Sequence, residues 1–167
     1  LAVYNMKIDL TIIVPYYNES NTIVKTLNLL AEQSYKPSNI ILINSTSTDN
    51  TSELIEEWIK DKNIKDINIK NIYENTKLPS SSKNAGLKYA DTQYIAFMDC
   101  DLDFKTDWIE NQYNTLIKKR LDVLFGCVEL SGVSSTDICS VALTYGYKNK
   151  RECIPGSVLK KDVFSKV

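Results

Sequence analysis

The chain has 167 residues, of which 43% are hydrophobic and 10% are aromatic. These fractions supply enough apolar side chains for a buried core, and they exclude a disordered protein, a collagen-like repeat and a small disulfide scaffold. The 20 basic and 21 acidic residues give a net charge of -1, which argues against nucleic acid as a partner because proteins that bind it usually carry a basic excess. We therefore predict a single domain spanning residues 1–167.

No apolar run approaches the roughly 18–20 residues needed to span a bilayer, and the first residues lack the pattern of a signal peptide. The sequence therefore predicts a cytoplasmic protein that reaches the inner face of a membrane only through segments outside this chain. Histidine is absent and the 4 cysteines include no CxxC pair, so histidine-based catalysis is excluded and the cysteines are interpreted as reduced thiols. Acid–base chemistry would then depend on carboxylates, lysine, tyrosine or cysteine.

Strand-like and helix-like patterns alternate along the first part of the chain. The β-branched run at residues 10–14 predicts a buried strand, and the helical spacing of the next apolar residues predicts a helix capped by Ser20 or Asn21. A second strand is predicted at residues 40–43, and the helix that follows it begins with a cap at Thr48 or Asp49. This succession is the start of a βαβ arrangement.

The same alternation continues to residue 128. Strands are predicted at residues 67–72, near a sheet edge, and at residues 94–98 and 123–128, with a turn-rich stretch at 75–82, a short helix before residue 90 and another helix capped by Asp107. The pattern predicts an α/β fold with a mainly parallel central sheet flanked by helices. Ligands of such sheets bind at the carboxyl ends of the strands.

The last part of the chain has weaker patterns. Residues 131–150 show poor periodicity and are interpreted as a surface excursion that forms a substrate loop. Pro155 and Gly156 predict a turn, and residues 161–167 can begin a helix.

Three aspartates follow the strand predicted at residues 94–98, namely Asp99, Asp101 and Asp103. Two carboxylates two residues apart repel one another, and a divalent cation relieves this repulsion by taking oxygen ligands from them. An oxygen-only site suits Mg²⁺ or Mn²⁺. The alternative is a solvated loop in which Asp103 or Asp107 only caps the next helix.

Other polar residues are predicted at the same edge of the sheet, and each has two interpretations. Tyr17 can stack on a planar base or pack at the sheet edge. Ser45 and Thr48 can donate hydrogen bonds to a ligand, whereas Thr48 alternatively caps a helix. Lys83 and Asn84 can meet phosphate or base edges, or remain solvated.

Four of these segments, in this order, resemble the motifs of the family 2 glycosyltransferases. Residues 12–19 (IIVPYYNE) are similar to the opening strand and its V-P-x-Y-N-E motif, and residues 43–49 (INSTSTD) are similar to V-D-D-G-S-T-D. Residues 82–86 (SKNAG) resemble A-R-N-x-G, and residues 97–101 (FMDCD) resemble the strand that ends in D-x-D. The resemblance implies the family's Rossmann-like GT-A nucleotide-diphospho-sugar transferase fold.

The resemblance also implies a donor-binding site. Pro15 and Tyr17 would shape the site and stack against the nucleobase, and Glu19 would border the donor. Asp99 would face the ribose or the metal, and Asp101 would coordinate Mn²⁺ or Mg²⁺. The other residues assigned to the donor by this resemblance are Ser45, Lys83, Asn84 and Cys100.

Three of the positions at which the chain departs from the family pattern bear on how the donor would bind. Asn44 and Ser45 stand where paired aspartates are typical, and Lys83 stands where arginine is usual. Lys83 keeps the charge but lacks the bidentate geometry of a guanidinium. If the second aspartate normally accepts the uracil N–H, Ser45 can do so only with a neutral hydroxyl.

The resemblance implies a metal-dependent inverting enzyme that transfers a sugar from a nucleotide-diphospho-sugar, expected to be a UDP-sugar, to a glycan or lipid-linked acceptor of the cell envelope. Residues 1–9 would be an N-terminal extension, 10–128 the nucleotide-sugar-binding core and 129–167 the start of the acceptor-side region. The catalytic base is expected beyond Val167. The alternative is a catalytically silent binding or interaction module. A nucleotidyltransferase is disfavoured because residues 15–19 contain no glycine for a phosphate loop.

Overall fold

The computed structural model describes residues 6–75, 78–129 and 150–165. Its strands are β1 (Met6–Tyr16), β2 (Tyr35–Asn44), β3 (Asn68–Tyr73), β4 (Tyr94–Phe97), β5 (Val123–Glu129) and β6 (Lys150–Lys160). Its helices are α1 (Ile23–Ala31), α2 (Thr51–Lys62), α3 (Pro79–Tyr89) and α4 (Trp108–Lys119), and a 3-10 helix follows at Lys161–Ser165.

These strands form one sheet in the order β3-β2-β1-β4-β6-β5. The pairs β1–β2, β2–β3 and β1–β4 are parallel, whereas β6 is antiparallel to both β4 and β5. The mainly parallel α/β sheet predicted from the sequence is confirmed, and β3 lies at its edge as predicted. Because β1, β2 and β4 are parallel neighbours, their carboxyl ends meet at one edge of the sheet.

Alternate residues of β1 point to opposite faces of the sheet and therefore join two different cores. On one face, Ile12 and Val14 pack with apolar residues of α1, α2 and α4. On the other face, Ile13 packs with Ile41 and Phe97, and α3 contacts β1 and β2. Both faces are thus covered, as the continuous apolar runs of the central strands require.

Several predicted boundaries differ in the structure. The first strand begins at Met6, so residues 6–9 belong to the sheet and not to an extension. The predicted caps at residues 20–21 and 48–49 are wrong, because α1 and α2 follow Thr22 and Asn50. Asp107 does precede α4, but its side chain makes no capping hydrogen bond.

The Pro155-Gly156 turn is also wrong, because β6 runs through both residues. Gly156 has a φ of 77°, and the register between β5 and β6 shifts beside it, between Leu124 and Gly126. A strand that contains such a bulge uses the same residue types as a turn. The surface excursion was predicted at residues 131–150. Residues 131–149 lie outside the described residues, and Lys150 is the first residue of β6. Within the described ranges, no helix is long and apolar enough to cross a bilayer.

Candidate functional site

An open cleft of about 290 Å³ lies at the carboxyl ends of β1, β2 and β4. Its size is near the lower end of the roughly 300–1,000 Å³ range of small-molecule sites. The residues that line it are Pro15, Tyr16, Tyr17, Glu19, Ser45, Lys83, Asp99, Cys100 and Asp101. The structure thus brings together eight of the nine residues assigned to the donor. The ninth, Asn84, is exposed and does not line the cleft.

The loop after β1 places an aromatic ring at the cleft. Tyr17 is 45% exposed, and the next residue, Asn18, has a φ of 55°, a left-handed conformation that asparagine tolerates. Asn18 receives a hydrogen bond from the Thr48 backbone N–H (2.8 Å), and its own N–H donates to the Ser47 hydroxyl (3.1 Å). These bonds join the loop after β1 to the loop after β2, and they fix the loop that carries Tyr17.

A carboxylate at the start of α2 connects the same two loops. Asp49 accepts hydrogen bonds from the Ser20 backbone N–H (3.2 Å) and from the Thr51 hydroxyl (2.6 Å). Burial disfavours the charged carboxylate, but these hydrogen bonds outweigh burial, so the pKa of Asp49 is lowered. The Thr51 hydroxyl also accepts the backbone N–H of Glu19 (2.9 Å). Asp49 therefore acts in loop structure rather than as a ligand group.

Asn44 and Thr46, at the end of β2, also have structural roles. The Asn44 amide donates to the Ser52 hydroxyl (2.8 Å) and its carbonyl accepts the Ser47 backbone N–H (2.7 Å). An aspartate could not make the first of these bonds, because a carboxylate has no proton to donate to the hydroxyl. Thr46 has a φ of 65°, and its buried hydroxyl has no hydrogen-bond partner among the described residues.

Two serines meet in the wall of the cleft. The hydroxyls of Ser45 and Ser82 are 2.6 Å apart, and the residues are 4% and 0% exposed. Ser45 is fixed from the backbone because its N–H donates to the Tyr16 carbonyl (2.9 Å). Ser82 is fixed by α3, where its hydroxyl also donates to the Leu78 carbonyl at 3.4 Å.

The charged side of the cleft combines one cation with two carboxylates. The Lys83 ammonium lies 3.2 Å from an Asp99 carboxylate oxygen, whereas Asp101 is exposed and has no ion-pair or hydrogen-bond partner among the described residues. Asp103 points elsewhere, because it pairs with Lys25 of α1. The structure therefore separates Asp103 from the two other aspartates of the cluster.

Cys100 lies between the two aspartates but differs from them in its surroundings. Its side chain is buried. Burial, followed by the negative charges of Glu19, Asp99 and Asp101, raises the pKa of its thiol far above the usual range. A thiol that stays protonated is a poor nucleophile and a poor metal ligand, so Cys100 shapes the cleft without reacting.

The residues present fit a divalent cation that arrives with a ligand. Among the residues that the structure describes, no group of three or more His, Cys, Asp or Glu side chains could hold a metal. Mg²⁺, however, commonly binds through only one or two carboxylates and completes its coordination with substrate phosphates and water. Asp101 can supply one carboxylate of that kind, and Asp99 a second if it leaves Lys83.

The family model described as glycosyl transferase family 2 matches residues 11–153, which is well over half of the chain. The chain belongs to this family. Among curated family members, WfaP of Escherichia coli, named a UDP-Glc:alpha-D-GlcNAc-diphosphoundecaprenol beta-1,3-glucosyltransferase, is 40% identical over 102 residues, which are 61% of this chain and 39% of WfaP. The curated relatives compared are all longer, since the match covers between 12% and 46% of their lengths.

Solved structures show the GT-A fold of this family 2 member. TarS 1-349 of S. aureus matches with a TM-score of 0.72 and 20% identity, over 95% of this chain and 49% of TarS. The mannosyltransferase PcManGT of Pyrobaculum calidifontis, solved with GDP-Man and Mn²⁺, matches with a TM-score of 0.71 and 21% identity, over 95% of this chain and 46% of PcManGT. The resemblance inferred from four sequence motifs is therefore confirmed at the level of family and fold.

Two residues in or next to the cleft, Tyr16 and Ser82, were not assigned from the sequence. Tyr16 lines the cleft and is 2% exposed, and its hydroxyl contacts Ser52 (3.0 Å) and donates to Asn71 (2.8 Å). The only sequence signal for a role of Tyr16 in the site was its position just after the strand predicted at residues 10–14. Ser82 was part of a recognised motif, but only the structure reveals its contact with Ser45, 37 residues away in the chain.

Proposed function

We propose that this chain is the donor-binding part of a glycosyltransferase that uses a nucleotide-diphospho-sugar. The observation that carries the proposal is the single cleft that joins an exposed aromatic ring, Tyr17, to a cation and two carboxylates, Lys83, Asp99 and Asp101. An aromatic face suits a nucleobase. The charged groups suit a diphosphate, either directly through Lys83 or through a cation held by the carboxylates.

The donor proposed is a UDP-sugar, and the cation is Mn²⁺ or Mg²⁺. WfaP is named for a UDP-Glc donor, TarS has been solved with UDP and with UDP-GlcNAc, and PcManGT has been solved with GDP-Man and Mn²⁺. These facts belong to those proteins and support the proposal by analogy. When bound, the cation would neutralise charge on the diphosphate leaving group.

The chain's own residues would bind and orient the donor. Asp101 would hold the cation, Asp99 would contact the cation or the ribose, and Lys83 would attract the diphosphate. Tyr17 and Pro15 would bracket the base. The transfer reaction and its catalytic base are assigned to the whole protein rather than to residues of this cleft.

The acceptor proposed is a glycan or a lipid-linked sugar of the cell envelope. The name of WfaP specifies a diphosphoundecaprenol-linked acceptor, and AmsB of Erwinia amylovora, 29% identical over 116 residues, is named for amylovoran biosynthesis. A lipid-linked acceptor would place the reaction at the cytoplasmic face of a membrane.

Calorimetric titration with UDP and GDP, each with and without Mn²⁺, tests the proposal. We expect Mn²⁺ to strengthen binding of at least one nucleotide and Asp101→Asn to reduce that gain about tenfold or more, which corresponds to about 1.4 kcal/mol. Asp103→Asn is the matched control, because Asp103 is an aspartate of the same cluster that pairs with Lys25 outside the cleft. The proposal is wrong if neither nucleotide binds, or if the two variants behave alike.

A further inference from the structure

Two departures from the family motifs meet at the wall of the cleft, which Ser45 lines and the fully buried Ser82 does not. Ser45 stands where the V-D-D-G-S-T-D motif has its second aspartate, and Ser82 stands where A-R-N-x-G has alanine. The chain brings their hydroxyls to 2.6 Å in a buried position, beside the loop that presents Tyr17. A contact between two altered positions that lie on different elements indicates that they act together.

The pair can exist in two hydrogen-bonded states. Either hydroxyl can be the donor across the 2.6 Å contact, because a hydroxyl has one proton and two lone pairs and rotates to suit its partners. If Ser45 donates to Ser82, Ser82 can donate to the Leu78 carbonyl (3.4 Å), and the lone pairs of Ser45 remain for a ligand. If Ser82 donates to Ser45 instead, the proton of Ser45 is free to donate to a ligand.

The geometry points to the Ser45–Ser82 pair as a base-reading element that accepts a pyrimidine with or without a ring N–H. Uracil presents an N–H at ring position 3, and cytosine presents a lone pair there. The first state of the pair serves uracil, the second serves cytosine, and the contact between the serines is kept in both. We therefore expect uridine and cytidine diphosphates to bind with similar affinity. The inference rests on the proposed function, because it assumes that the cleft binds a nucleotide. It also takes the base to stack on Tyr17 and to turn ring position 3 toward Ser45, as the family motif implies; both residues line the cleft.

A carboxylate at position 45 would act differently. It can accept a hydrogen bond from uracil, but it has no proton for the lone pair of cytosine and would repel it. An aspartate next to an alanine, as in the family motifs, is therefore selective for the ring N–H. Serine at both positions removes the fixed negative charge and supplies a proton that can move between partners.

Replacing only Ser82 should shift the preference in the opposite direction. In Ser82→Ala the proton of Ser45 has lost its internal acceptor. With uracil bound, that proton has no partner in a buried site, and this is costly; with cytosine bound, it donates to the ring nitrogen. Ser82→Ala should therefore favour CDP, whereas Ser45→Asp combined with Ser82→Ala should favour UDP.

Calorimetric titration of the full chain with UDP and CDP in the presence of Mn²⁺ tests these directions. We expect the unaltered chain to bind the two within about threefold of each other. Ser82→Ala should shift the ratio of dissociation constants roughly three- to tenfold toward CDP, and the double variant should shift it at least tenfold toward UDP. Ser38→Ala is the control, since its hydroxyl donates to the Ile8 carbonyl (2.9 Å) outside the cleft; it should leave the ratio unchanged.

The outcomes separate the inference from the function on which it rests. If the unaltered chain binds neither nucleotide, the proposed function fails and the inference fails with it. If it binds UDP but discriminates strongly against CDP, or if Ser82→Ala weakens both nucleotides equally, the donor site stands and the base-reading role is wrong. Should the double variant fail to fold, the shift toward CDP in Ser82→Ala decides the question by itself.

Discussion

At the scale of single residues, the polar side chains around the cleft fall into two groups. Asn18, Asn44 and Asp49 make hydrogen bonds that fix the loops. Tyr17 and Asp101 are exposed at the cleft, and no hydrogen bond of the described residues engages the carboxylate of Asp101. The first group determines the shape of the site, and the second remains available to a ligand.

Thr46, in the loop after β2, has a strained backbone conformation. Its φ of 65° places a β-branched side chain in the left-handed region, which costs about 1–2 kcal/mol, and its buried hydroxyl lacks a partner among the described residues. Thr46→Gly should therefore stabilise the chain by about 1 kcal/mol, even after the greater backbone entropy of unfolded glycine is counted. Urea denaturation measures this gain.

Asn63→Gly provides the comparison for Thr46→Gly. Asn63, at the C-terminus of α2, also has a positive φ, 46°, but asparagine tolerates this conformation, so glycine should raise the free energy of unfolding less there than at position 46. Equal effects of the two substitutions would mean that Thr46 is not strained.

Asp49 should make the stability of the chain depend on pH. Its folded pKa lies below the ordinary value of 3.8, so its contribution is complete above that value and is lost as the pH falls through the folded pKa. Asp49→Asn should cost about 1 kcal/mol at neutral pH, and the difference from the unaltered chain should shrink below pH 3.8. Thermal denaturation from pH 7 to pH 3 measures it.

The exposed carboxylate of Glu57, on helix α2, supplies the control. Glu57→Gln should change stability little across this range. A difference between Asp49→Asn and the unaltered chain that stays constant to pH 3 would show that the charge of Asp49 does not matter.

Residue types and spacing predicted much of the site, and its hydrogen bonds explain what they missed. Eight of the nine residues assigned to the donor line the cleft. Seven of them lie at the carboxyl ends of β1, β2 and β4, which meet at one edge of the sheet, and the eighth, Lys83, is carried by α3. The cap predicted at Asp49 lies one residue before the N-cap position of α2, Asn50. The Asp49 carboxylate accepts the backbone N–H of Thr51 at the start of this helix and also that of Ser20 in the loop after β1. The Ser45–Ser82 contact depends on packing between elements, which no local pattern encodes.

At the scale of elements, helix α3 forms the side of the cleft that carries Lys83. It carries both Ser82 and Lys83, and it packs against β1 and β2. Gly86 makes this close approach possible, because a Cβ atom there would lie 2.4 Å from a methyl carbon of the fully buried Ile13. The helix can lie this close to the sheet because residue 86 has no Cβ atom.

Gly86→Ala should push α3 away from the sheet. Although alanine favours a helix, the clash with Ile13 should destabilise the chain by about 1–3 kcal/mol, as measured by urea denaturation. Lys88→Ala, an exposed position on the same helix, should stay within about 0.5 kcal/mol of the unaltered chain. If Gly86→Ala were instead stabilising, the helix would have room that the structure does not show.

The elements themselves were largely predictable because each central strand is a short β-branched run and each helix has periodic apolar residues. The exceptions lie where one residue type serves two structures. Pro155 and Gly156 favour a turn, yet they form a bulge within β6, and the stretch before Ser82 reads as turn-rich, yet α3 begins at Pro79, a residue suited to the first turn of a helix.

At the scale of the whole molecule, the sheet order places the loops that line the cleft on one side. β1 is central and pairs with β2 and β4, so the loops after these three strands are neighbours in space although they lie far apart in the chain. The alternation of strands and helices predicted the parallel part of this sheet. It did not predict that β6 inserts between β4 and β5, because an antiparallel strand so distant in sequence leaves no local signal.

The position of β6 bears on how the chain folds during synthesis. β6 is the last strand along the described chain, yet it occupies an interior place in the sheet. β4 pairs with β1 on one side and with β6 on the other, so a nascent chain that has emerged only through β5 presents an unpaired edge on β4. Open edges can pair with other chains, so we expect the newly made domain to be less prone to aggregate once β6 has emerged from the ribosome and paired with β4.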